Sequence, residues 1–548
     1  MMNANFDDTL SKPVTPPSLL MLTEQFSNEE AQLREGGGKK GRERQARLGR
    51  LTARERLEEL LDNPDAFFEL ELWAGYKLYP EIGELPAAGV ITGIGQVCGR
   101  QCMLIVNDAT VKAGAMFPCS VKKVLRAQRI AYECRLPILY LVDSAGVFLP
   151  LQDEVFPDED DFGRIFRNNA VISAAGNPQY AAIMGNCIAG GGYLPVLCDK
   201  LIMTRGSGLY LAGPALVKAA IGQLVETEEL GGAKMHAEIS GTVDFLEPDD
   251  KSCLTRLRAL VDLLPQDPPP IGKMASYEVE RYPYNLYDLI SGDGKKEYDS
   301  HDLIACIVDR GSMQEYKAGY GPTMITCYAK INGMPVGIVA NQRKKTMTGR
   351  GELEIGGVIY AESADKAARF VMDCNQMKIP LIFLQDVVGF MVGREAEQSG
   401  IIRSGAKLVN AVSNTIVPKI TVIVGNSFGA GNYAMCGKAY DPNFIFAWPN
   451  AKYAVMGADQ VADTLFEVEQ SKAERSGNAL DEEEAKRMHE MIRKRYYEQM
   501  DIRYGAARGW VDAIIAPHTT REVLTFALEM VKRSPPTTRR FHTGVIQV

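Results

Sequence analysis

Short apolar runs and amphipathic segments alternate along this chain. The runs LPILYLV, YAAIM, IPLIFL and KITVIV are short and end in turn residues, which is typical of buried strands. Segments 18–35, 51–62, 120–135 and 362–377 have helical spacing, and Thr52 stands at the N-cap position of the second. Strands that alternate with helices predict mostly parallel sheets covered by helices, which is an α/β fold.

The predicted elements occur twice in the same order. A hairpin about Gly99 matches one about Asn332, and LPILYLVDSAG matches IPLIFLQDVVG, which aligns Asp143 with Asp386. Such landmarks repeat at an offset of about 240 residues, except that the last is displaced by about 25 more. The displacement falls on FEVEQSKAERSGNALDEEEAKRMHEMIRKRYYEQM, a charged insertion of helical spacing. The pattern predicts a tandem duplication of one α/β domain.

The domain boundaries follow from these landmarks. We predict a helical and basic extension over residues 1–50, a first domain over 51–270 and a second domain over 271–548. Residues 1–17 contain several prolines and are expected to be extended or disordered. The Pro-rich stretch 264–273 is expected to be the linker between the domains.

The most distinctive stretch occurs once in each half. From Gly185 the chain reads GNCIAGGGY, and from Gly425 it reads GNSFGAGNY, each after a predicted buried strand. Small residues after a strand let backbone N–H groups approach a ligand, because no side chains block them. Close packing on a helix would explain a single turn of this kind. Two turns in register instead predict two cradles for anions such as a developing oxyanion.

Composition narrows the class of protein. The chain of 548 residues is 46% hydrophobic, with a net charge of −8 and a pI near 5.5, which argues against a nucleic-acid surface. No apolar run is long enough to span a bilayer, and the N-terminus has no signal-peptide or transit-peptide pattern. The 11 Cys are scattered without a CxxC pair, and the five His show no ligand spacing. We therefore predict a soluble, cytoplasmic protein with free thiols, no metal site and no membrane contact.

Other catalytic patterns are missing or weak. The sequence contains no GxSxG and no Walker A motif, and no helix follows the GxG at Gly93 and Gly95. Asp143 and Asp386 end buried strands, where an acid can be catalytic but more often accepts hydrogen bonds from backbone N–H groups. The stretch GGGKKGRERQARLGR favours a solvated linker entering a helix, with a contact for a phosphate-bearing ligand or a partner subunit as the alternative.

Several longer motifs carry a family resemblance from LTARERLEELL onward. VNDATVKAGAMFPCSVKKVLRAQ, DEVFPDEDDFGRIFRNNA, LAGPALVKAAIGQ, GFMVGREAEQSG and SFGAGNYAMCGKAYDPNFIFAWPNA resemble methylcrotonoyl-CoA carboxylase β. VDSAGVFL, QEYKAGYGPTMITCYAKING and the charged insertion are more similar to the carboxyltransferase subunit of glutaconyl-CoA decarboxylase. The chain thus resembles the carboxyltransferase (β) subunits of biotin-dependent acyl-CoA carboxylases, in the crotonase superfamily. The resemblance implies a tandem duplication of a crotonase-like domain.

The resemblance gives each small-residue turn its own anion. It implies that Gly190 and Gly191 form an oxyanion hole for the enolate of an acyl-CoA thioester, and that Gly431 and Asn432 hold the ureido oxygen of biotin. The implied CoA contacts are Lys112, Gly114, Gly146 and Ala189. The implied biotin-side residues are Gly389, Phe390, Ala430 and Tyr433. In the family the cofactor itself is the base, which agrees with the lack of a convincing catalytic side chain.

The resemblance also implies partners. The chain has no AMKM-like biotin attachment site and no ATP-grasp loop. A biotin carboxylase and biotin carboxyl carrier (α) subunit must therefore supply the covalently carried biotin in trans. In the family the active site lies between domains of different subunits, in a ring-shaped homohexamer.

The most detailed expectation concerns the acyl group of the substrate. The two enzymes that these motifs resemble act at the γ-carbon of a 2-enoyl-CoA. This favours a short branched or unsaturated acyl-CoA of the methylcrotonoyl type. Ala434 stands where propionyl-type relatives tend to carry Asp, and Ala430 where some relatives carry Gly. Glutaconyl-CoA decarboxylase-type transfer, favoured by the long basic stretch NQRKKTMTGRGELEIGG, and propionyl- or acetyl-CoA carboxylation are alternatives. A biotin-independent crotonase-type hydratase is a remote one, because such enzymes have one domain per chain.

Overall fold

The computed structural model describes residues 16–265, 277–457 and 482–533. It also describes the isolated positions 461, 463, 465, 466, 470, 541, 542, 544 and 545. Most of the predicted N-terminal extended segment, most of the predicted linker and part of the charged insertion lie outside these residues. The predicted boundaries at residues 50 and 270 stay predictions.

The helices predicted from the sequence are confirmed with ends shifted by one to a few residues. The first part of the chain contains α1 (Leu19–Arg34), α2 (Gly38–Arg47), α3 (Ala53–Leu60), α4 (Pro118–Glu133), α5 (Phe162–Ala174), α6 (Tyr193–Val196), α7 (Pro214–Ile221), α8 (Thr227–Gly231), α9 (Ala233–Met235) and α10 (Asp250–Asp262). The later part contains α11 (Leu286–Leu289), α12 (Ser300–Ala305), α13 (Ala361–Met377), α14 (Arg394–Gln398), α15 (Ile401–Ser413), α16 (Gly429–Ala434), α17 (Glu482–Met500), α18 (Ile502–Ala507) and α19 (Thr520–Lys532). Thr52 caps α3, where its side chain accepts a hydrogen bond from Glu55 N.

The strands fall into two large sheets and two small ones. The first half contains β1 (Phe68–Leu70), β2 (Val90–Val97), β3 (Arg100–Asn107), β4 (Ile138–Ser144), β5 (Gln179–Ile188), β6 (Lys200–Thr204), β7 (Gly208–Tyr210) and β8 (Phe245–Glu247). The second half contains β9 (Gln314–Glu315), β10 (Met324–Ile331), β11 (Met334–Asn341), β12 (Thr346–Met347), β13 (Leu353–Glu354), β14 (Val358–Ile359), β15 (Leu381–Val387), β16 (Gly389–Phe390), β17 (Lys419–Phe428), β18 (Phe444–Ala447), β19 (Lys452–Ala454) and β20 (Ala513–Ile514).

The two large sheets have the same topology. Their strand orders are β1-β2-β3-β4-β5-β6-β8 and β9-β10-β11-β15-β17-β18-β20, and β7 and β19 pair with the ends of β5 and β17. In each sheet an antiparallel hairpin leads into parallel central strands. The tandem duplication and the α/β class predicted from the sequence are therefore confirmed.

Helices cover both faces of each sheet. In the first sheet α3 and α10 pack on the face that carries Leu104 and Leu139, and α4 and α5 pack on the other. All seven residues of β4 are buried and the first five are apolar, as expected for a strand that is covered on both sides. The core therefore has the three layers that βαβ connections produce.

The two halves meet at a charged junction. Arg126 of α4 donates hydrogen bonds of 2.7 and 2.6 Å to the carboxylate of Asp512, and both side chains are buried. Lys438 donates a third hydrogen bond of 2.9 Å to the same carboxylate. Burial opposes the charged form of Asp512, but Arg126 and Lys438 outweigh it and hold the pKa of Asp512 well below its usual range. The Arg126–Asp512 ion pair therefore joins the two halves both through its hydrogen bonds and through its charges.

No helix within the described part of the chain combines the length and the apolar character needed to cross a membrane.

Candidate active site

Each large sheet has the same irregularity beside its small-residue turn. The pairing of β4 with β5 shifts register at Asp143, and the pairing of β15 with β17 shifts at Asp386. A bulge of this kind bends the strand and changes the direction of the residues that follow. It aims the ends of β5 and β17 into the two turns.

Asp143 lies opposite the bulge of the first sheet, which is formed by residues 184–186 of β5. Its buried carboxylate accepts a hydrogen bond of 3.1 Å from Asn186 N. A Cβ at Gly185 would overlap this carboxyl group, so only glycine fits there. Burial raises the pKa of Asp143, although Arg56 and Arg50 oppose the rise, and Arg56 Nη2 lies 3.5 Å from its Oδ2. Asp143 therefore fixes the strand that leads into the first turn, which is the role that the sequence favoured over catalysis.

Asp386 has the same place in the second sheet. It is 2% exposed and accepts hydrogen bonds of 2.8 Å from Asn426 N and 3.1 Å from the hydroxyl of Tyr298. A Cβ at Gly425 would overlap its carboxyl group. The Arg343 guanidinium lies 2.9 Å from Asp386 Oδ2 and forms a buried ion pair with it. Each turn thus has behind it a buried carboxylate, an arginine close to that carboxylate, and a glycine whose position has no room for a side chain.

The first turn lies between β5 and α6. Gly190 and Gly191 lie in the 3-10 turn Ala189–Gly192, which connects β5 to α6. A Cβ at Gly191 would make an ordinary van der Waals contact with Phe162 Cζ at 3.8 Å, so nothing overlaps that position. Behind it lies a cavity of about 20 Å³, lined mostly by apolar side chains that include Phe162 and Met116.

The second turn is the short helix α16. Ala430 is exposed, whereas a Cβ at Gly431 would lie 2.5 Å from Val387 Cγ2. Gly431 is in the first turn of this helix, where N–H groups have no intrahelical acceptor. The side chain of Asn432 donates a hydrogen bond of 2.7 Å to Ser427 Oγ and so ties the helix to β17.

Two tyrosines occupy equivalent places after the turns. Tyr193 is 50% exposed and Tyr433 is 49% exposed. Their rings lie near other aromatic side chains. The ring centroids of Tyr193 and Phe166 are 6.1 Å apart, and those of Tyr433 and Tyr440 are 5.9 Å apart. Each presents half of its surface beside a glycine-rich turn.

The predicted CoA contacts lie at the end of β4. Lys112, Ala113 and Gly114 have φ values of 45°, 56° and 69°, so three consecutive residues are left-handed. Such strain persists where the surroundings hold it and clusters at ligand sites. A Cβ at Gly114 would overlap the backbone of Asp143, and Gly146 follows β4 with a φ of 85°. The 112–114 loop, Gly146 and the first turn are therefore neighbours in one region. The ammonium group of Lys112 donates to the carbonyl of Ile82.

The predicted biotin-side residues gather at the other turn. Gly389 and Phe390 form β16, which pairs with β14 and contacts α16. The ring of Phe390 packs against Gly405, where a Cβ would lie 2.9 Å from it. No hydrogen bond or ion pair between described residues joins the first turn to the second. The predicted CoA-side residues therefore lie together in the first domain, and the predicted biotin-side residues lie together in the second. Their roles in ligand binding stay predictions.

The long basic stretch contains the β12–β13 hairpin, which carries an acid with a shifted pKa. Glu354 on β13 is 7% exposed, and its Oε2 has no hydrogen-bond partner among the described residues. Burial, followed by the nearby Glu362 and Glu352, raises the pKa of Glu354 to about 7.

Glu354 is expected to make stability fall as the pH rises. The folded chain keeps the proton up to about pH 7, whereas the unfolded chain releases it near 4.5, so between these values the folded state binds more protons. Glu354→Gln should therefore raise the unfolding temperature relative to the unchanged chain at pH 7 and have little effect below pH 4.5. Thermal unfolding of both proteins across this window measures the difference. An equal difference at every pH would contradict the assignment of the proton to Glu354.

The sequence also matches a family model. The model, described as "Carboxyl transferase domain", matches residues 44–544, which include both sheets and both turns. The chain belongs to the carboxyl transferase family. The resemblance inferred from the motifs is thereby confirmed.

Relatives in this family cover nearly the whole chain. A biotin-dependent 3-methylcrotonyl-coenzyme A carboxylase beta1 subunit of Mycobacterium tuberculosis is 44% identical over 516 residues, covering 94% of each chain. A mitochondrial methylcrotonoyl-CoA carboxylase beta chain of Dictyostelium discoideum is 43% identical and covers 91% of this chain and 83% of its own length. Among solved structures, the beta subunit of P. aeruginosa geranyl-CoA carboxylase has a TM-score of 0.83 at 33% identity, covering 97% of this chain and 96% of its own. The crotonase-like fold and the assignment to biotin-dependent acyl-CoA carboxyltransferases are confirmed.

Sequence reasoning missed the residues that support the two carboxylates. Arg56, Arg343 and Tyr298 come from elements far from the turns in sequence. Arg56 lies in the amphipathic α3, where an arginine on the apolar face was a signal that a buried acid faces it. Tyr298 had no such signal, because nothing in its sequence neighbourhood points to Asp386.

Proposed function

We propose that this chain moves a carboxyl group between biotin on a partner subunit and a short, branched or unsaturated acyl-CoA of the methylcrotonoyl type. The observation that carries the proposal is the pair of turns at equivalent ends of the duplicated sheets, each backed by a buried carboxylate. Two cradles of one construction suit a reaction in which two carbonyl oxygens gain negative charge. Removing one such donor typically costs roughly 3–4 kcal/mol of barrier.

The first turn suits the acyl-CoA. Gly191 carries no side chain that would block its backbone, and the left-handed loop 112–114 lies in the same region. The apolar cavity of about 20 Å³ behind the turn is small, and Phe162 closes one side of it. That volume holds about one water molecule, so the acyl size is proposed instead from the relatives, two of which are methylcrotonoyl-CoA carboxylase beta subunits.

The second turn suits the biotin ring. Ala430 is exposed, and Gly431 beside it carries no side chain. Phe390 and Tyr433 place aromatic rings near this turn. When bound, biotin supplies the transferable carboxyl group and the base. Phe390, Ala430 and Tyr433 would hold the ring, and the Gly431 N–H would donate a hydrogen bond to its ureido oxygen, with no side-chain base required.

A second copy of the chain is proposed to complete the site. Apolar side chains are exposed around both turns. They are Val196, Leu197 and Tyr193 near the first turn, and Val388, Val392, Tyr433 and Val455 near the second. Burying them between the first domain of one copy and the second domain of another would bring the two cradles together. A homohexamer with a biotin-bearing α subunit is the assembly proposed.

We also propose a cytoplasmic location. None of the 11 cysteines forms a disulfide, and nine of them are buried. Free thiols are typical of proteins in a reducing compartment.

An activity assay tests the proposed function. The purified chain and its biotin-bearing subunit are offered 3-methylcrotonyl-, glutaconyl-, propionyl- and acetyl-CoA, with incorporation or release of the carboxyl group as the readout. We expect 3-methylcrotonyl-CoA to have the highest kcat/KM. A preference for the saturated substrates would overturn the proposed acyl class. Failure to recover any biotinylated partner by affinity capture, together with hydration of enoyl-CoA, would overturn carboxyl transfer.

A further inference from the structure

A histidine outside the two turns lies between two carboxylates. His301 of α12 places its Nδ1 2.7 Å from Asp299 Oδ1 and its Nε2 3.0 Å from Glu315 Oε2. Asp299 is the N-cap residue of α12, and Glu315 lies on β9 at the edge of the second sheet. The other acid of α12, Asp302, is paired with Arg281 at 2.7 Å. The imidazole ring therefore connects the start of α12 to the edge strand of the sheet.

Only the protonated ring can donate a hydrogen bond to both carboxylates. An imidazolium ring carries two N–H groups, whereas a neutral ring carries one N–H and one lone pair. Loss of the proton therefore leaves either Asp299 or Glu315 without a hydrogen bond from His301 and turns a lone pair toward an anion. Burial opposes the charged ring, but the hydrogen bonds to the two carboxylates outweigh it and raise the pKa of His301 above its ordinary value of 6.5.

Two lysines also face this pair of acids. Lys344 donates a hydrogen bond of 2.5 Å to Asp299 Oδ2. Burial opposes the charged form of Asp299, but Lys344 and the other donors outweigh it and hold its pKa well below the usual range. The ammonium group of Lys366, on α13, is buried and has no hydrogen-bond partner among the described residues. Burial lowers the pKa of Lys366 to about 8, and the nearby charge of Glu315 opposes the fall.

Asp299 is connected to the second turn through Gln342. The side-chain nitrogen of Gln342 donates a hydrogen bond of 2.8 Å to Asp299 Oδ1, and its oxygen accepts one of 2.9 Å from Arg343 N. The guanidinium of Arg343 forms the buried ion pair with Asp386, whose carboxylate accepts the hydrogen bond from Asn426 N. Each link from Asp299 to the strand that enters the turn is thus a hydrogen bond, a peptide unit or an ion pair.

The residues on either side of Asp299 give a second connection. The hydroxyl of Tyr298 donates to Asp386 Oδ2 at 3.1 Å, and the hydroxyl of Ser300 donates to Asn341 O at 2.6 Å. The side-chain oxygen of Asn341 accepts a hydrogen bond of 3.2 Å from Asp386 N. The segment that carries Asp299 therefore contacts Asp386 directly and also through one intervening residue.

We propose that His301 is a positioning residue for the second turn, because its protonated ring joins Asp299 to Glu315 and so fixes the segment that supports Asp386. The proposal rests on the proposed function, which assigns biotin to this turn. The contribution of the ring is complete below pH 6.5, where it is charged in the folded and the unfolded chain. It is lost as the pH rises through the raised pKa of the folded chain.

A pH profile of kcat tests the positioning role. Carboxyl transfer by the chain with its biotin-bearing subunit should slow by about 10-fold as the pH rises through the pKa of His301, because a hydrogen bond to a charged group is lost. His301→Gln cannot titrate, so its kcat should be low and constant over the same range. His518→Gln is the matched control, because His518 lies 2.7 Å from the hydroxyl of Tyr287 and outside this cluster. It should keep the profile of the unchanged chain.

A variant of the edge strand keeps the test decisive if His301→Gln harms folding. Glu315→Gln retains an oxygen for the ring and removes one negative charge, so it should move the fall in kcat to lower pH. A fall that persisted unchanged in His301→Gln would assign the titration to another group, such as Lys366, and overturn the proposal. A Glu315→Gln profile that coincided with that of the unchanged chain would also overturn it.

Hydrogen exchange without substrate separates this proposal from the proposed function. The protection of backbone N–H groups in residues 425–434, corrected for the intrinsic exchange rate at each pH, should fall as the pH rises in the unchanged chain. It should stay constant in His301→Gln. The same pH dependence in both proteins, or none in either, would overturn the positioning role. If protection changes as expected but no acyl-CoA accepts or releases a carboxyl group, the proposed function fails while the positioning of the turn by His301 stands.

Discussion

Arg126→Met is expected to lower the free energy of unfolding by about 3–5 kcal/mol, because it leaves the carboxylate of Asp512 buried without its main partner. Both side chains of the pair are at most 8% exposed, and Arg126 makes two hydrogen bonds to the carboxylate. Methionine keeps much of the volume of the arginine stem, so the loss reports on charge and hydrogen bonding more than on packing. Urea unfolding followed by tryptophan fluorescence, at one protein concentration, measures the change.

Arg129→Met supplies the matched control for this result. Arg129 lies on the same helix and pairs with Asp441 at 2.7 Å, but the two side chains are 41% and 69% exposed. An exposed pair contributes about 0–1 kcal/mol, because water competes with it. Equal losses for the two variants would contradict the view that the buried pair holds the domains together.

Asp386→Ala is expected to lower kcat for carboxyl transfer by about 100-fold, because small displacements of a preorganised site have effects of that size. The substitution removes the acceptor for Asn426 N and leaves the Arg343 guanidinium and the Tyr298 hydroxyl without it. The strand that leads into α16 would then lose its fixed position. The KM for acyl-CoA should change little, because the first turn is held by Asp143 instead.

The equivalent substitution in the first domain separates positioning from general damage. Asp143→Ala should raise the KM for acyl-CoA, while Asp386→Asn, which keeps one oxygen for Asn426 N, should recover part of the rate lost in Asp386→Ala. Unfolding temperatures are measured in parallel. If Asp386→Ala raised the acyl-CoA KM as much as Asp143→Ala does, the assignment of each carboxylate to its own turn would be wrong.

Local patterns predicted most of the secondary structure because local forces decide it. Thr52 was recognisable as an N-cap from its position before an amphipathic helix, and the structure places its side chain on Glu55 N. The hairpins about Gly99 and Asn332 were visible from turn residues between apolar runs, and both are present. The charged insertion could be placed but only partly described, as α17.

The candidate site was predictable only in part. The turns, the strands before them and the two strand-ending acids could be found because the duplication repeats them in the sequence. The arginines behind the acids could not, since Arg56 and Arg343 reach Asp143 and Asp386 from other elements and occupy unrelated places in the two halves. Each domain therefore has a carboxylate at the register shift of its sheet, but the counter-charge comes from a different element in each.

The sequence alone determined the α/β class, the duplication and the family, because these rest on periodicity, order of elements and motifs that survive in one dimension. Tertiary structure decided what the two acids do, because a carboxylate opposite a bulge becomes a structural acceptor only when a neighbouring strand brings an N–H and a glycine to it. It also decided which of two arginines at the same helix position is buried. Arg126 on α4 faces Asp512 of its own chain, whereas Arg369 on α13 faces an open groove. Sequence spacing gives these residues the same place on their helices, and only the arrangement of the domains distinguishes them.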